Sequence, residues 1–130
     1  MKVGVIGGGH WGKNLVRNFA EIGVLAGVAD PVEGNRSRAL EEAPGIELFA
    51  KEKDLLAAGY DAVAIATPAA THYGIARKAL ELDLDVFVEK PVTLDAAEAL
   101  ELHGLAEKRE QVLMVRHLLR YQRSRYFIKK

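Results

Sequence analysis

Cysteine is absent from the 130 residues of this chain. That absence excludes a disulfide framework, a thiolate metal site and a cysteine nucleophile. No run comes near the roughly 18 apolar residues that a membrane span requires. The N-terminal residues also lack an apolar signal segment followed by a small-residue cleavage site. We therefore expect a cytoplasmic protein with no membrane partner.

Several catalytic and repeat signatures are missing as well. The chain has no G-x-S-x-G nucleophile motif and no Walker phosphate loop, and its His, Asp and Glu residues show no metal-ligand spacing. It has no internal repeat and no low-complexity segment. With 49% hydrophobic and 28% charged residues, 130 residues fit a single domain with a real core.

Acidic residues are missing from the end of the chain. Residues 116–130 carry six Lys and Arg side chains and no Asp or Glu, so residues 1–115 carry six excess negative charges in a chain of net charge zero. A basic end can contact nucleic acid or an acidic partner. We favour a solvated or poorly ordered terminus instead, and do not expect a nucleic-acid partner.

The stretch Met1–Gly12, MKVGVIGGGHWG, joins a strand pattern to a glycine-rich turn. Residues 2–6 predict a buried parallel strand, and an amphipathic helical pattern follows the glycines. In a G-x-G-x-x-G turn of this kind, Gly7 permits the tight turn, Gly9 lets backbone approach a pyrophosphate, and Gly12 lets the helix pack on the strand. The alternative is a glycine turn with a structural role only.

Six strand patterns alternate with helical patterns along the chain. This alternation predicts one α/β domain with a doubly wound parallel sheet, helices on both faces and the strand order 3-2-1-4-5-6. The predicted strands are residues 2–6, 24–29, 46–49, 61–66, 85–88 and 112–115. The predicted helices are residues 11–22, 33–43, 54–58, 72–82 and 93–108, with a weak helical pattern over 117–126.

Asp30 ends the second predicted strand, 23 positions after Gly7. An acid near that distance binds the adenosine ribose of NAD, and its charge would repel the 2′-phosphate of NADP. Arg36 and Arg38 lie close enough in sequence to hold such a phosphate if the loop folds back, although a solvated helix face is the interpretation we favour for them. For Asp30 itself, a turn residue before proline is the alternative.

Polar residues also follow the fourth and fifth predicted strands, at Thr67-Pro68 and at Glu89-Lys90-Pro91. These positions share the ligand-binding edge of the sheet with the glycine turn. A Lys90 ammonium beside a nicotinamide could hold a ribose hydroxyl or polarise a substrate carbonyl. The alternative is a surface Lys-Pro turn, and we favour the functional interpretation.

Histidine is the other residue type that could transfer protons near neutral pH. His72, at the start of a predicted helix, is expected to be a capping or loop residue rather than a catalyst, and His117 is a weaker candidate still. His10 is expected to flank the phosphates, with Trp11 covering the helix start. His103 is expected on a solvated helix face.

Five segments of the chain carry a family resemblance. They are VGVIGGGHWGKN (Val3–Asn14), VAD (Val28–Asp30), DAVAIATPAATH (Asp61–His72), VFVEKPVTLDAAEA (Val86–Ala99) and, less closely, VLMVRHLLRY (Val112–Tyr121). Together they resemble the N-terminal half of the Gfo/Idh/MocA family, the glucose–fructose oxidoreductase and inositol dehydrogenase group. The resemblance covers nearly the whole chain and implies a Rossmann fold.

The resemblance implies an NAD(P)-dependent dehydrogenase or reductase acting on a sugar, cyclitol or sugar nucleotide. The HLLRY run is most similar to members that oxidise the 3-hydroxyl of nucleotide-linked amino sugars. The family also implies the site residues, with a Lys90-Pro91 bond that is often cis. Pyrophosphate would lie at Gly7, Gly9 and Gly12, adenosine ribose at Asp30, the cleft walls at Thr67, Pro68 and His72, and the nicotinamide at Glu89 and Lys90, with Lys90 assisting catalysis.

The chain departs from the family in length and at its end. Family members are well over twice as long, and their second domain supplies the substrate pocket and oligomer interface. We expect residues 1–116 to form the NAD(P)-binding domain and residues 117–130 a basic segment. Such a chain would be a truncated dehydrogenase with little activity alone, a stand-alone NAD-binding module, or a folded remnant. A homo-oligomer formed through other surfaces is a further expectation.

Overall fold

The computed structural model describes residues 1–10 and 12–116. The strands are β1 (Val3–Ile6), β2 (Leu25–Ala29), β3 (Glu47–Phe49), β4 (Ala62–Ile65), β5 (Asp85–Glu89) and β6 (Leu113–Arg116). The helices are α1 (Gly12–Glu21), α2 (Glu33–Glu42), α3 (Glu52–Leu56), α4 (His72–Glu81) and α5 (Ala96–Lys108), and a short 3₁₀ turn over Ala69–Thr71 precedes α4. The basic segment 117–130, its predicted helix and Trp11 lie outside the described residues.

The six strands form one parallel sheet in the order β3-β2-β1-β4-β5-β6, which confirms the predicted fold class and strand order. β1 pairs with β2 on one side and with β4 on the other. The chain therefore winds outward in one direction through β3 and then in the other through β6. The crevice between β1 and β4 is where ligands bind in sheets of this kind.

Helices cover both faces of the sheet, because the strands carry apolar side chains on both sides. Helices α1 and α2 pack on one face, and α3, α4 and α5 pack on the other. The first core lies under α1 and α2, and the second core under α3, α4 and α5. Within β4 the side chains alternate, because Val63 and Ile65 belong to the second core and Ala64 to the first. The two cores fix the carboxyl ends of the central strands side by side.

The observed boundaries agree with the predicted ones to within one residue for every strand. Two helices differ by more. α3 begins two residues before its predicted start, and α5 begins at Ala96 rather than at Thr93. In α5 the cause is local, since Asp95 has an extended backbone and its side chain accepts a hydrogen bond from the backbone N–H of Ala97 at 2.7 Å. Asp95 is therefore the N-cap and not a helical residue.

The Tyr60 side chain is buried in the second core, on the face of the sheet that α3, α4 and α5 cover. Its hydroxyl donates a hydrogen bond to the Glu47 carboxylate on β3. Burial, together with this bond to a negatively charged partner, holds the pKa of Tyr60 well above its usual value.

Within the described part of the chain, no helix is long and apolar enough to cross a membrane.

Candidate functional site

The turn between β1 and α1 depends on Gly7. Its φ is 97°, in the left-handed region that residues with a side chain rarely adopt. A Cβ atom there would also lie 2.7 Å from the carbonyl oxygen of Ala66. The backbone N–H of Gly7 donates to the carbonyl of Ala29 at 2.8 Å, so the turn begins while the chain is still bonded to β2.

Gly12 and Gly9 are glycines for different reasons. A Cβ at Gly12 would lie 1.6 Å from the carbonyl oxygen of Gly7, so only glycine lets α1 start this close to the turn. A Cβ at Gly9 would meet nothing nearer than the Asn35 side-chain nitrogen, at 3.7 Å. Gly9 also lines the cavity described next. Gly12 is therefore required by packing, whereas Gly9 has room for a Cβ and faces the cavity.

A cavity of about 740 Å³ lies at the carboxyl ends of β1, β2 and β4. This volume falls within the range of about 300–1,000 Å³ that small-molecule and cofactor sites occupy. Its walls come from the glycine turn, the start of α2, α3, the loop after β4 and α4. The lining residues are Ile6, Gly7, Gly9, His10, Ala29, Asp30, Pro31, Val32, Asn35, Ala50, Glu52, Lys53, Leu56, Ala66, Thr67, Pro68, Thr71, Gly74, Ile75 and Lys78.

Asp30 places a buried carboxylate in this cavity, with 6% of the residue exposed. Its Oδ2 accepts from the backbone N–H of Gly8 at 2.7 Å. Its Oδ1 accepts from the backbone N–H of Val32 at 2.8 Å and from Asn35 Nδ2 at 3.2 Å. A carboxylate offers about four acceptor sites, so Oδ2 keeps capacity for a ligand hydroxyl. Asp30 is thus both a turn residue, through Val32, and a cavity residue.

Arg36 and Arg38, the two arginines that could hold a phosphate, each donate a hydrogen bond to a backbone carbonyl. Arg36 Nη1 donates to the backbone carbonyl of Asp30 at 2.8 Å. Arg38 Nη2 donates to the backbone carbonyl of Gly8 at 3.1 Å and to Asn35 Oδ1 at 2.8 Å. Both guanidinium groups therefore brace the backbone around Asp30, and neither residue is part of the cavity lining.

The loop after β4 is fixed by a chain of hydroxyl groups. Thr71 Oγ1 donates to the carbonyl of Pro68 at 2.6 Å. Because that bond uses the Thr71 proton, the Thr67 hydroxyl is the donor in the 2.6 Å contact between Thr67 Oγ1 and Thr71 Oγ1. Thr67, Pro68 and Thr71 line the cavity on the side opposite Asp30.

His72 lies behind the loop rather than in the cavity lining, and only 1% of it is exposed. Its Nε2 lies 2.8 Å from the carbonyl oxygen of Thr67, and its Nδ1 lies 2.7 Å from that of Pro91. Both partners only accept hydrogen bonds, so a neutral ring can donate to one of them and an imidazolium to both. The ring joins the segments that follow β4 and β5.

Glu89 and Lys90 stand at the carboxyl end of β5, beside the cavity and outside its lining. Glu89 is half-buried and lies opposite Arg116 in the register of β5 and β6. The Lys90 side chain is exposed, and the Lys90-Pro91 peptide bond is cis. No group of three or more potential metal ligands occurs in the regions described, residues 1–10 and 12–116.

The structure thus brings Gly7, Gly9, His10, Asp30, Thr67 and Pro68 together around one cavity. Gly12 and His72 support its walls, Glu89 and Lys90 flank it, and His103 lies on α5, away from the lining. Sequence reasoning missed Asn35 and the α3 residues Glu52 and Lys53. It also missed the face of α4 that includes Gly74, Ile75 and Lys78, whose helical spacing could have identified it.

The sequence matches the family model described as oxidoreductase family, NAD-binding Rossmann fold, over residues 1–117. Among curated proteins, the UDP-N-acetylglucosamine 3-dehydrogenase of Acidithiobacillus ferrooxidans is 41% identical over 121 residues, covering 92% of this chain and 38% of that protein. The inositol 2-dehydrogenase of Corynebacterium glutamicum is 32% identical over 112 residues, covering 83% of this chain and 33% of that protein. The chain thus spans between a third and two fifths of these relatives.

Solved structures give the same result. The A. ferrooxidans UDP-N-acetylglucosamine 3-dehydrogenase superposes with a TM-score of 0.81 at 38% identity, covering 88% of this chain and 37% of that one. The scyllo-inositol dehydrogenase of Lactobacillus casei, with bound NAD(H) and scyllo-inositol, has a TM-score of 0.81 at 26% identity, covering 88% and 35%. The chain belongs to the Gfo/Idh/MocA family of oxidoreductases and carries its NAD-binding Rossmann fold.

Proposed function

We propose that the cavity binds NAD(H), with the pyrophosphate against the Gly7–Gly9 turn and the adenosine ribose at Asp30. The observation that supports this most directly is that Gly9, where an added Cβ would come no nearer than 3.7 Å to a side chain, lines the same cavity as the buried Asp30 carboxylate. The first N–H groups of a helix lack intrahelical partners, and its N-terminal dipole end favours an anion. The start of α1 provides that environment for the pyrophosphate.

The same geometry favours NAD over NADP. Asp30 is held beside the expected ribose position by three donors, and a carboxylate there accepts hydrogen bonds from the ribose hydroxyls. A 2′-phosphate would instead meet a buried negative charge. Arg36 and Arg38 each donate to a backbone carbonyl and neither lines the cavity, so neither guanidinium is positioned to contact a 2′-phosphate there.

We propose further that the chain forms the cofactor half of an enzyme that oxidises a hydroxyl of a sugar, cyclitol or sugar nucleotide. The two relatives named above act on UDP-N-acetylglucosamine and on inositol, according to their names. NAD supplies the hydride acceptor in such a reaction. Lys90 follows the end of β5, the strand that pairs with β4, and its exposed ammonium can hold a hydroxyl of the ribose or of the substrate.

A stand-alone NAD-binding module without turnover is the second candidate. It is favoured by the position of the cavity, which lies on the β1, β2 and β4 side of the sheet and does not include Lys90. Hydride transfer needs a substrate held about 3–3.5 Å from the nicotinamide. Measuring NAD reduction with UDP-N-acetylglucosamine and with inositol tests the second candidate, because formation of NADH by the chain would exclude a module without turnover.

The binding proposal is tested by competition. NADH fluorescence is titrated with the protein, and the complex is then challenged with ADP-ribose or with nicotinamide mononucleotide. Because the cavity is built around the pyrophosphate and adenosine positions, ADP-ribose should displace NADH at concentrations within about tenfold of NAD itself, and nicotinamide mononucleotide should not. Displacement by nicotinamide mononucleotide alone would place the cofactor elsewhere and overturn the proposal.

A further inference from the structure

Four residues at the Asp30 end of the cavity form a closed ring of hydrogen bonds. Gly8 N–H donates to Asp30 Oδ2 at 2.7 Å, and Asn35 Nδ2 donates to Asp30 Oδ1 at 3.2 Å. Arg38 Nη2 donates both to Asn35 Oδ1, at 2.8 Å, and to the carbonyl of Gly8, at 3.1 Å. The ring therefore joins the backbone N–H and the carbonyl of Gly8 to the first turns of α2.

Chemistry fixes the orientation of the Asn35 amide within this ring. The carboxylate of Asp30 can only accept, so it requires the amide nitrogen, and the guanidinium of Arg38 can only donate, so it requires the amide oxygen. Asn35 is half-buried and lines the cavity, whereas Arg38 does not. A neutral amide thus separates a negative and a positive side chain that would otherwise attract each other.

We propose that Asn35 is a positioning residue that keeps Arg38 away from the Asp30 carboxylate, and that this separation sets the preference for NAD over NADP. The inference rests on the proposed function of the cavity. With Asn35 in place, Arg38 is committed to the Gly8 carbonyl and Asp30 Oδ2 keeps an acceptor site for the ribose. The Asp30 carboxylate also stays without a direct ion pair to Arg38, so its negative charge continues to disfavour a 2′-phosphate.

Removal of the Asn35 side chain changes the hydrogen bonding of Arg38 and of Asp30 at once. Arg38 loses one acceptor and Asp30 loses one donor, so the guanidinium can move across the vacated space and pair with the carboxylate. That ion pair at Asp30 Oδ1 would weaken the carboxylate as an acceptor for the ribose and would neutralise much of the charge that disfavours NADP. Binding of NADH should therefore weaken while binding of NADPH improves or stays the same.

The test is a double-mutant cycle on the full chain, using Asn35→Ala, Arg38→Ala and the combined variant, with the dissociation constants of NADH and NADPH measured by calorimetry. Asn35→Ala should narrow the ratio of the two constants about tenfold, the scale of one charge-assisted hydrogen bond. In the Arg38→Ala background the same change should narrow that ratio less than about threefold, because Arg38 is gone and Arg36 stays bonded to the backbone carbonyl of Asp30. Ser37→Ala, an exposed change on the same helix, is the matched control and should leave the ratio unaltered.

An unchanged ratio in folded Asn35→Ala, or an equal effect with and without Arg38, would overturn the inference while leaving the proposed function intact. Failure of the wild-type chain to bind either cofactor would overturn the proposed function and the inference with it. Circular dichroism verifies that each variant is folded, and Asn35→Ser provides the same comparison if the alanine variant unfolds.

Discussion

Adding one methyl group at Gly9 or at Gly12 should produce opposite effects on binding and on stability. At Gly12 the new Cβ would lie 1.6 Å from the Gly7 carbonyl oxygen, so turn and helix must separate by about 1.8 Å to reach the 3.4 Å of ordinary contact. Overpacking costs about 1–3 kcal/mol when side chains can adjust, and backbone meeting backbone adjusts least. We expect Gly12→Ala to lower the free energy of unfolding by about 3 kcal/mol or more.

At Gly9 the same methyl group meets no atom closer than 3.7 Å and should change the free energy of unfolding by no more than about 0.5 kcal/mol. It stands where the pyrophosphate approaches the backbone, so NADH binding should weaken by about a hundredfold, or about 2.7 kcal/mol. Urea denaturation measures the stability of both variants, and calorimetry measures NADH binding by Gly9→Ala. Normal NADH binding by Gly9→Ala, or wild-type stability of Gly12→Ala, would refute this division of roles.

Three further predictions concern residues outside the cavity lining. His72→Leu leaves the Thr67 and Pro91 carbonyls without their partner and should lower the free energy of unfolding, measured by urea denaturation, by about 2–5 kcal/mol. A decrease below about 1 kcal/mol would show that these hydrogen bonds do not stabilise the fold. Tyr60 has a raised pKa in the folded state, so its contribution to stability is present below about pH 10, where the unfolded tyrosine starts to ionise, and is lost as pH rises further. Wild-type unfolding free energy should therefore fall above pH 10 more steeply than that of Tyr60→Phe, and parallel curves would contradict this. Lys90→Met should change NADH affinity less than about threefold and remove any turnover of a sugar or cyclitol substrate, whereas unchanged turnover would exclude a catalytic role.

Most of the fold could be predicted because the sheet is buried on both faces. Each strand contains a short apolar run, and the glycine turn and Asp-Pro pair mark where β1 and β2 end. The start of α5 could not be placed from periodicity alone. Thr93 and Asp95 both favour helix starts, and only the bond from Ala97 N–H to the Asp95 side chain shows which residue is the cap.

The candidate site was predictable where backbone conformation determines the residue type. Gly7 needs a positive φ and Gly12 a close approach, and both leave a readable spacing in the sequence. The hydrogen-bonding roles of Asn35, Arg38 and His72 depend on which groups the folded chain places opposite them. The bonds from Arg38 to Gly8 and from His72 to Pro91 join residues 30 and 19 positions apart, so no local pattern encodes them.

The central claim is that the cavity beside Asp30 binds NAD in preference to NADP. Calorimetric titration of the wild-type chain with NADH and with NADPH, under the same buffer and salt, tests it most directly. We predict saturable binding of NADH with one site per chain and a dissociation constant at least about tenfold lower than that of NADPH. Tighter binding of NADPH, or no binding of either, would contradict the role that the structure gives to Asp30.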